Sequence, residues 1–348
     1  MKIAQVAPVD YRVPPRRYGG TERVVNFLTE ELVRRGHKVT LFASADSKTA
    51  ARLNPVVPHP LREAHIFNPA PSTILEVSKV YSREGRFDVI HNNAYPDYLM
   101  FPAAAASNTP TLTTLHLPFT YQERRVFSAY KNLPFVSISN SQKKNAPELN
   151  YVATIHHGIP VQKFPFNNKR GSYLLFVGRI SPQKGIHTAI NVALKLGLKL
   201  IIAAKLDPYE VEYFNEKVAP RLDENGKIKW LGEVDTQERN KLMAGAMCLL
   251  NPINWPEPFG LVMIEAMATG CPVVAFNKGS VPEIVVDKKT GYIVKSEQEL
   301  EKAIKKIDEI DPKDCREHVK ENFSVKKMVD AYEKLYLSLA NNKKGRLL

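Results

Sequence analysis

Residues 255–276, WPEPFGLVMIEAMATGCPVVAF, form the most informative stretch of this sequence. The pattern predicts a loop, a helix that opens at Phe259-Gly260, a stop at Gly270-Cys271-Pro272, and a buried strand after the stop. A helix bounded in this way by glycine and proline and followed directly by an apolar strand is typical of α/β domains. The stretch therefore predicts one unit of a parallel sheet covered by helices.

Two glutamates flank the start of this helix, Glu257 before it and Glu265 inside it. The first N–H groups of a helix have no internal partner and carry partial positive charge, which suits a phosphate. Gly260 would let that phosphate approach the backbone closely. Glu265 lies about 6–8 Å along the helix, roughly the distance from a pyrophosphate to the hydroxyls of its ribose. The segment suits a nucleoside diphosphate sugar, although an ordinary amphipathic helix with two solvated glutamates would also show such a pair.

Composition indicates a globular protein with more than one domain. The chain has 348 residues, of which 44% are hydrophobic and 24% charged, and no apolar run is long enough to span a bilayer. Its three cysteines are far apart, which favours neither a disulfide framework nor a zinc site and fits a reducing cytoplasm. The net charge of +13 divides into +7 for residues 1–160 and +6 for the rest. Because no nucleic-acid motif accompanies this even spread, we expect no nucleic-acid partner, and peripheral contact with a membrane stays open.

Residues 2–160 alternate apolar runs with helical patterns, and the same alternation restarts at Tyr173. The predicted strands are Lys2–Ala7, Lys38–Phe42, Asp88–His91, Thr111–Leu115, Phe135–Ile138, Val152–His156, Tyr173–Gly178, Lys199–Ala204, Ile228–Leu231, Met247–Asn251 and Pro272–Phe276. The two helices with the clearest apolar faces are predicted over Thr21–Arg35 and Val325–Leu339. In the second of these, the apolar face holds Met328, Tyr332, Leu335 and Leu339.

The join between the two alternating regions falls in the polar segment Val161–Ser172. We therefore expect an α/β fold with two Rossmann-like domains, residues 1–160 and 161–324, that face an interdomain cleft. Residues 325–348 follow as a C-terminal helical segment.

A basic loop follows the strand Tyr173–Gly178, and ligands of open α/β sheets bind at the carboxyl ends of strands. Arg179 could grip phosphate oxygens with two parallel hydrogen bonds, and Lys184 could add a point charge. Together they could neutralise a diphosphate leaving group as its charge develops. In the first region, Gly19-Gly20 opens a helix after a basic, proline-rich loop and predicts a second anion site. Because the pattern G-x-G-x-x-G is missing there, NAD is not expected.

These motifs resemble those of the family 4 retaining glycosyltransferases, which have the GT-B fold. Residues 257–265 resemble the family's E-x7-E motif, and residues 178–185 resemble its G-R-x-x-x-x-K-G element. Residues 278–283 resemble its G-G-x-P-E loop, except that Ser280 stands where the second glycine is usual. His157 and Pro160 depart from the family's N-G-[VI]-D pattern, so no role is carried to either residue.

The resemblance implies roles for particular residues and domains. Residues 1–160 would bind the acceptor, residues 161–324 would bind the nucleotide sugar, and residues 325–348 would cross back to the N-terminal domain. The implied catalytic residues are Glu257, His116, Arg179 and Lys184. The implied donor-binding residues are Gly19, Gly20, Arg179, Lys184, Val234, Phe259, Gly260, Leu261 and Glu265. His116 follows the strand Thr111–Leu115 and would meet the donor sugar, while the backbone around Val234 would contact the base.

The expected reaction is transfer of a hexose with retention of anomeric configuration. The donor would be a UDP-sugar, UDP-glucose by expectation, which acts as co-substrate, and no cofactor is expected. No metal is expected either, because no Asp-x-Asp motif stands between a strand and a turn. A sugar-nucleotide 2-epimerase of the same architecture and a non-catalytic sugar-nucleotide-binding subunit remain alternatives.

The acceptor stays open among a saccharide, a lipid-linked molecule and a small heterocycle such as a pterin. Its expected pocket is formed by aromatic residues of N-terminal loops: Tyr11, Tyr18, Phe67, Tyr95, Tyr98, Phe119 and Tyr121. The oligomeric state cannot be inferred from the sequence. The expected location is the cytoplasm, with or without association with a membrane.

Overall fold

The computed structural model of the chain describes residues 1–222 and 226–345, with side chains described as far as residue 341. The described residues form two compact units. The first unit contains Met1–Gly158 and the C-terminal segment that begins at Val325, and the second contains Ile159–Ser324. The expected C-terminal segment therefore belongs to the first unit, and its last residues, 346–348, lie outside the described residues.

The first unit is built on a parallel sheet with the strand order β3-β2-β1-β4-β5-β6-β7. Its strands are β1 Lys2–Val6, β2 Lys38–Ala43, β3 Arg52–Pro55, β4 Val89–Asn92, β5 Thr111–Leu115, β6 Phe135–Ser137 and β7 Tyr151–Thr154. Its helices are α1 Gly20–Arg34, α2 Ala70–Tyr81, α3 Phe101–Ala106, α4 Tyr121–Ala129, α5 Asn140–Lys143 and the C-terminal helix Val325–Gly345. A parallel sheet is buried on both faces, which explains the continuous apolar runs of the central strands.

The C-terminal helix packs in the first unit beside α1. The Arg35 guanidinium donates to a carboxylate oxygen of Asp330 at 2.8 Å and also pairs with Glu333. The buried side chains of the helix are Met328, Val329, Tyr332 and Tyr336. The expected face was therefore partly wrong, because Leu335 and Leu339 are only half-buried and Tyr336 takes the inner position. The tyrosine is buried because its hydroxyl has polar partners under the helix, as described below.

The second unit has a parallel sheet with the order β10-β9-β8-β11-β12-β13. Its strands are β8 Leu174–Arg179, β9 Leu200–Lys205, β10 Ile228–Trp230, β11 Cys248–Asn251, β12 Val273–Phe276 and β13 Gly291–Val294. Its helices are α6 Ile186–Leu196, α7 Val211–Tyr213, α8 Thr236–Ala244, α9 Leu261–Ala268, α10 Val281–Ile284, α11 Glu297–Lys305 and α12 Pro312–Asn322. The prediction of two Rossmann-like α/β domains is confirmed by these two sheets.

Each sheet has a point where the strand order changes direction. In the first unit, β2 and β3 lie on one side of β1, and β4 to β7 lie on the other. In the second unit, β9 and β10 lie on one side of β8, and β11 to β13 lie on the other. The loops that leave neighbouring strands at such a point diverge and open a crevice, which is where ligands of α/β sheets bind. The two expected sites are therefore the carboxyl ends of β1 and β4 and those of β8 and β11.

Two edge strands were missed by the sequence analysis, and both lack a long apolar run. Strand β3 has the sequence RLNP and is half-exposed, and β13 is only four residues long and begins with glycine. Among the described helices, none combines the length and the apolarity that a membrane span requires.

Candidate functional site

The loop after β8 carries the two basic residues expected to bind a diphosphate. Arg179 is the last residue of the strand, and a short 3-10 helix over Pro182–Lys184 follows it. The Arg179 guanidinium lies 3.6 Å from the Asp207 carboxylate, which also pairs with Lys205 at 2.7 Å. Asp207 thus holds Arg179 at the end of its strand. Asp207 could not be inferred from the sequence, since its contact with Arg179 depends on the parallel neighbour β9 ending at the same edge of the sheet.

Lys184 and Glu257 contact each other directly as an ion pair. Both side chains are mostly buried, with 14% and 10% of their surfaces exposed. The Lys184 ammonium also lies 5.6 Å from the centre of the Trp255 ring, within the range of a cation–π interaction. One carboxylate oxygen of Glu257, Oε2, is buried without a hydrogen-bond partner among the described residues. The structure therefore brings together the two residues that the sequence placed on separate loops.

The backbone around Glu257 is held by the neighbouring loop after β12. The Ser280 N–H donates to the Glu257 carbonyl at 3.1 Å, and the Ser280 hydroxyl donates to the Phe259 carbonyl at 2.6 Å. Gly279 has φ +55°, and a Cβ atom there would lie 2.4 Å from the Glu257 carbonyl oxygen. Gly279 therefore allows the close approach. Ser280 has φ −81°, so no glycine is required at its position, and its hydroxyl adds a tie between the loops.

Helix α9 begins directly after this loop, with Gly260 as its N-cap. Gly260 has φ +83°, a left-handed conformation that other residues adopt at a cost. The N–H groups of Leu261 and Val262 lie in the first turn, where they lack intrahelical partners. The Phe259 side chain is buried and its ring centre lies 6.0 Å from that of Phe323, so only the Phe259 backbone is placed to meet a ligand.

Glu265 lies inside α9 and is paired with an arginine that the sequence did not indicate. Its carboxylate lies 3.1 Å from the guanidinium of Arg239 in α8, and both side chains are less than a tenth exposed. A buried carboxylate held by an arginine has a fixed orientation, which suits the recognition of paired hydroxyls. Arg239 was missed because α8 is polar on all sides and shows no apolar stripe. Val234, the residue expected near the base, is half-buried in the loop between β10 and α8.

The switch point of the second unit concentrates buried polar atoms without partners among the described residues. They are Arg179 Nε, Ser181 Oγ, Asn251 Nδ2, Trp255 Nε1 and Glu257 Oε2. Ser181 follows β8, and Asn251 ends the neighbouring strand β11. The loops after these strands touch, because the Asn254 N–H donates to the Gln183 carbonyl at 2.7 Å. An unpaired buried polar group costs about 1–3 kcal/mol, so a cluster of them is typical of a site that a polar ligand completes.

In the first unit, His116 follows β5 and is held by the amide of Asn93. His116 Nε2 lies 2.9 Å from Asn93 Oδ1, while Asn93 Nδ2 donates to Gln5 Oε1 at 3.3 Å. Since the Asn93 oxygen must accept, His116 carries its proton on Nε2. The other nitrogen, Nδ1, is then a bare lone pair without a hydrogen-bond partner among the described residues. Burial lowers the pKa of His116 to about 3, so the ring is neutral near pH 7.

A buried polar network connects this site to the C-terminal helix. Gln5 Nε2 donates to the Tyr336 hydroxyl at 3.0 Å, and that hydroxyl lies 2.7 Å from His91 Nδ1. His91 Nε2 lies 2.7 Å from the Thr114 hydroxyl, which in turn lies 2.9 Å from the Tyr332 hydroxyl. Burial lowers the pKa of His91 to about 3, so the network is uncharged near pH 7. The network fixes the amide of Gln5 and thereby the orientation of Asn93 beneath His116.

Gly19 and Gly20 lie at the N-terminus of α1 as expected, but a buried acid stands beside them. A Cβ atom on Gly19 would lie 2.8 Å from Pro15 and 3.0 Å from a carboxylate oxygen of Glu22. Burial, with a smaller contribution from the charge of Asp10, raises the pKa of Glu22 to about 8. Because Glu22 is largely protonated near pH 7, it adds little negative charge to the helix N-terminus. An anion site at Gly19-Gly20 stays a prediction.

A pocket that is open to solvent lies at the switch point of the first unit. Its residues come from the end of β5, from the loops after β1, β4 and β5, and from helices α1 and α4: Pro8, Thr21, Asn93, Ala94, Tyr95, Asp97, Thr114, His116, Leu117, Pro118, Phe119, Glu123 and Phe127. Of the seven aromatic residues expected at an acceptor pocket, Tyr95 and Phe119 line it. Asp97 was not anticipated, because an aspartate in a loop gives no pattern that distinguishes a ligand contact from a turn.

The other five aromatic residues lie elsewhere. Tyr121 is 84% exposed, and Tyr98 packs against the apolar cluster around Phe101. The rings of Tyr11 and Tyr18 contact each other, and Phe67 lies beneath the guanidinium of Arg62. Their proximity in the sequence to pocket loops was thus not sufficient to place them in the pocket.

Comparison with known proteins identifies family models that match both halves of the chain. Residues 161–323 match the model described as Glycosyl transferases group 1, and residues 18–163 match the model described as Glycosyltransferase Family 4. The first match contains Arg179, Lys184, Glu257 and Glu265, and the second contains His116.

Relatives and solved structures of similar length agree with these matches. The chain is 27% identical to an uncharacterized glycosyltransferase of Methanocaldococcus jannaschii, over 84% of this chain and 85% of the relative. It is 26% identical to the phosphatidyl-myo-inositol mannosyltransferase of Mycolicibacterium smegmatis, over 84% and 81% of the two chains. Among solved structures, Anabaena HepE in complex with UDP and glucose superimposes with a TM-score of 0.78 at 19% identity, covering 97% of this chain and all of that one.

Proposed function

Because the chain belongs to glycosyltransferase family 4 and has the GT-B fold, we propose that it transfers glucose from UDP-glucose to an acceptor hydroxyl with retention of configuration. The cluster of unpartnered buried polar atoms at the carboxyl ends of β8 and β11 carries this proposal. The second unit would bind the donor, and the first unit would bind the acceptor.

The positive charge at this switch point suits a diphosphate. Arg179 and Lys184 would contact the phosphate oxygens. The first N–H groups of α9 would donate hydrogen bonds to the same diphosphate. Glu265, held by Arg239, would accept hydrogen bonds from the ribose hydroxyls, and the backbone near Val234 would contact the base. The two cations and the helix dipole would stabilise the leaving diphosphate, so we propose that transfer needs no metal.

Retention would follow from a reaction on one face of the sugar. The bond from the anomeric carbon to the diphosphate oxygen breaks, and the acceptor oxygen bonds to that carbon on the same face. The acceptor proton passes to the departing diphosphate oxygen, so no protein base is required. Glu257 would orient sugar hydroxyls and stabilise the positive charge that develops on the ring, while His116 would accept a hydrogen bond from the donor sugar through its lone pair.

HepE has been solved in complex with UDP and glucose and in complex with UDP-glucose. These complexes support uridine as the first choice of base and glucose as the first choice of sugar. The mycobacterial relative is instead a phosphatidyl-myo-inositol mannosyltransferase, which makes a mannosyl donor and a lipid acceptor the second choice.

A calorimetric titration with UDP, GDP and ADP tests the donor site. We expect UDP to bind at least about tenfold more tightly than GDP or ADP, which corresponds to about 1.4 kcal/mol. Gly260→Ala should weaken UDP binding by about the same factor, because a side chain is strained at the left-handed N-cap of α9, with φ +83°, where the backbone would meet the diphosphate.

Gly197→Ala is the matched control. Gly197 also has a left-handed conformation, with φ +67° at the end of α6, and its Cβ position has no heavy atom within 4 Å. This variant carries a similar backbone strain and should bind UDP as the wild type does. Equal binding of UDP by both variants, or no binding by the wild type, would contradict the assignment.

A further inference from the structure

The pocket at the switch point of the first unit carries charge of one sign. Of its thirteen residues, all within the described range 1–222, Asp97 and Glu123 are acidic and none is lysine or arginine. His116 at its edge is neutral because burial lowers the pKa of the ring to about 3. A ligand in this pocket therefore meets hydrogen-bond acceptors and negative charge, with no cation to offset them.

The two carboxylates lie close enough to influence each other. Burial, with a contribution from the negative charge of Glu123, raises the pKa of Asp97 to about 7. The Glu123 carboxylate accepts the Thr120 N–H at 2.6 Å, which caps α4 and fixes this side chain at the pocket. A second anion, such as a ring phosphate, would have to be desolvated beside both groups, which is unfavourable without a counter-charge.

The remaining wall of the pocket is aromatic and apolar. The Phe119 ring stacks on Phe127 with their centres 4.5 Å apart and their planes 20° from parallel. Tyr95 and Leu117 are 37% and 50% exposed, so apolar surface remains available to a ligand. A flat apolar face next to hydrogen-bond acceptors complements a sugar ring, which has C–H groups on its faces and hydroxyls around its edge.

We infer that this pocket binds the acceptor as an uncharged saccharide ring, with hydroxyls donated to Asp97, and that it discriminates against acceptors phosphorylated on that ring. The inference rests on the proposed transferase function and adds the charge class of the acceptor. It assigns Asp97 a role in acceptor specificity.

The test compares neutral and phosphorylated acceptors in the presence of the donor that the wild-type protein turns over. The neutral acceptors are methyl α-glucopyranoside, methyl α-mannopyranoside and maltose, and the charged acceptors are glucose 6-phosphate and mannose 6-phosphate. Donor consumption is followed for each. We expect at least one neutral sugar to accelerate it with a kcat/KM about tenfold or more above that of either phosphate. A preference for a phosphate would overturn the inference, and so would the absence of acceleration by every compound while the donor is still hydrolysed.

Two variants locate the effect in the pocket. Asp97→Asn should raise the KM for the neutral acceptor about tenfold with a smaller change in kcat, because an amide replaces the carboxyl group that accepts the sugar hydroxyls. Leu117→Arg adds a cation at the half-exposed edge and should shift the preference about tenfold toward the phosphates. An unchanged preference in both variants would place discrimination outside this pocket and overturn the inference. Failure of the wild type to turn over any nucleotide sugar would instead count against the proposed function.

Discussion

Replacement of Lys184 by alanine is expected to lower kcat for donor turnover about 100- to 1,000-fold, the usual effect of removing one group that stabilises developing negative charge. Lys184 is mostly buried between Glu257 and the Trp255 ring, so water cannot easily replace its charge. The same variant should also weaken UDP binding, since the Glu257 carboxylate would then face the diphosphate without its cation. Steady-state kinetics at saturating donor and a UDP titration measure the two effects.

Lys195→Ala provides the control for this substitution. Lys195 is also paired with a glutamate in the second unit, at 2.8 Å from Glu301, but its side chain is 64% exposed near the far end of α6. Its loss should leave kcat within about twofold, as expected of an exposed ion pair worth less than about 1 kcal/mol. Circular dichroism melting curves of both variants check that the folded fraction is unchanged at the assay temperature. Full turnover by Lys184→Ala would exclude its role at the leaving group.

Glu257→Gln should separate turnover from nucleotide binding. The amide keeps the size of the side chain but cannot stabilise positive charge on the sugar ring, so we expect kcat to fall about 100-fold or more. UDP should bind as tightly as to the wild type or more tightly, because Lys184 loses its internal carboxylate partner and becomes available to the diphosphate. The opposite signs of the binding changes in Glu257→Gln and Lys184→Ala follow directly from their ion pair.

Glu301→Gln is the matched control, since it removes the carboxylate from the surface pair with Lys195. Both kcat and UDP affinity should stay within about twofold of the wild type. Weaker UDP binding in Glu257→Gln, comparable to that in Lys184→Ala, would mean that Glu257 maintains the shape of the nucleotide site and does not act on the donor sugar. That result would contradict the role proposed for Glu257.

The sequence predicted the alternation of strands and helices because parallel strands are buried on both faces and leave continuous apolar runs. It also predicted the elements that carry Arg179, Lys184, Glu257 and Glu265, since glycine and proline mark the loops and helix starts on which these residues stand. The edge strands β3 and β13 were missed because half-exposed or very short strands need no such run.

Contacts between elements far apart in the sequence could not be predicted. The pairing of Arg239 with Glu265 depends on α8 lying beside α9, and neither residue breaks a local pattern. Tyr336 was missed on the inner face of the C-terminal helix because its hydroxyl is satisfied by Gln5 and His91, which are more than 200 residues away.

The most direct test of the account is a proton NMR spectrum of the purified protein with UDP-glucose, GDP-mannose and ADP-glucose in one tube and without acceptor. Water then acts as a slow acceptor, and the anomeric proton of the released sugar shows its configuration before mutarotation. We expect slow release of glucose from UDP-glucose, first as the α-anomer. Release of the β-anomer first, or conversion of a donor to its epimer without release of free sugar, would contradict it.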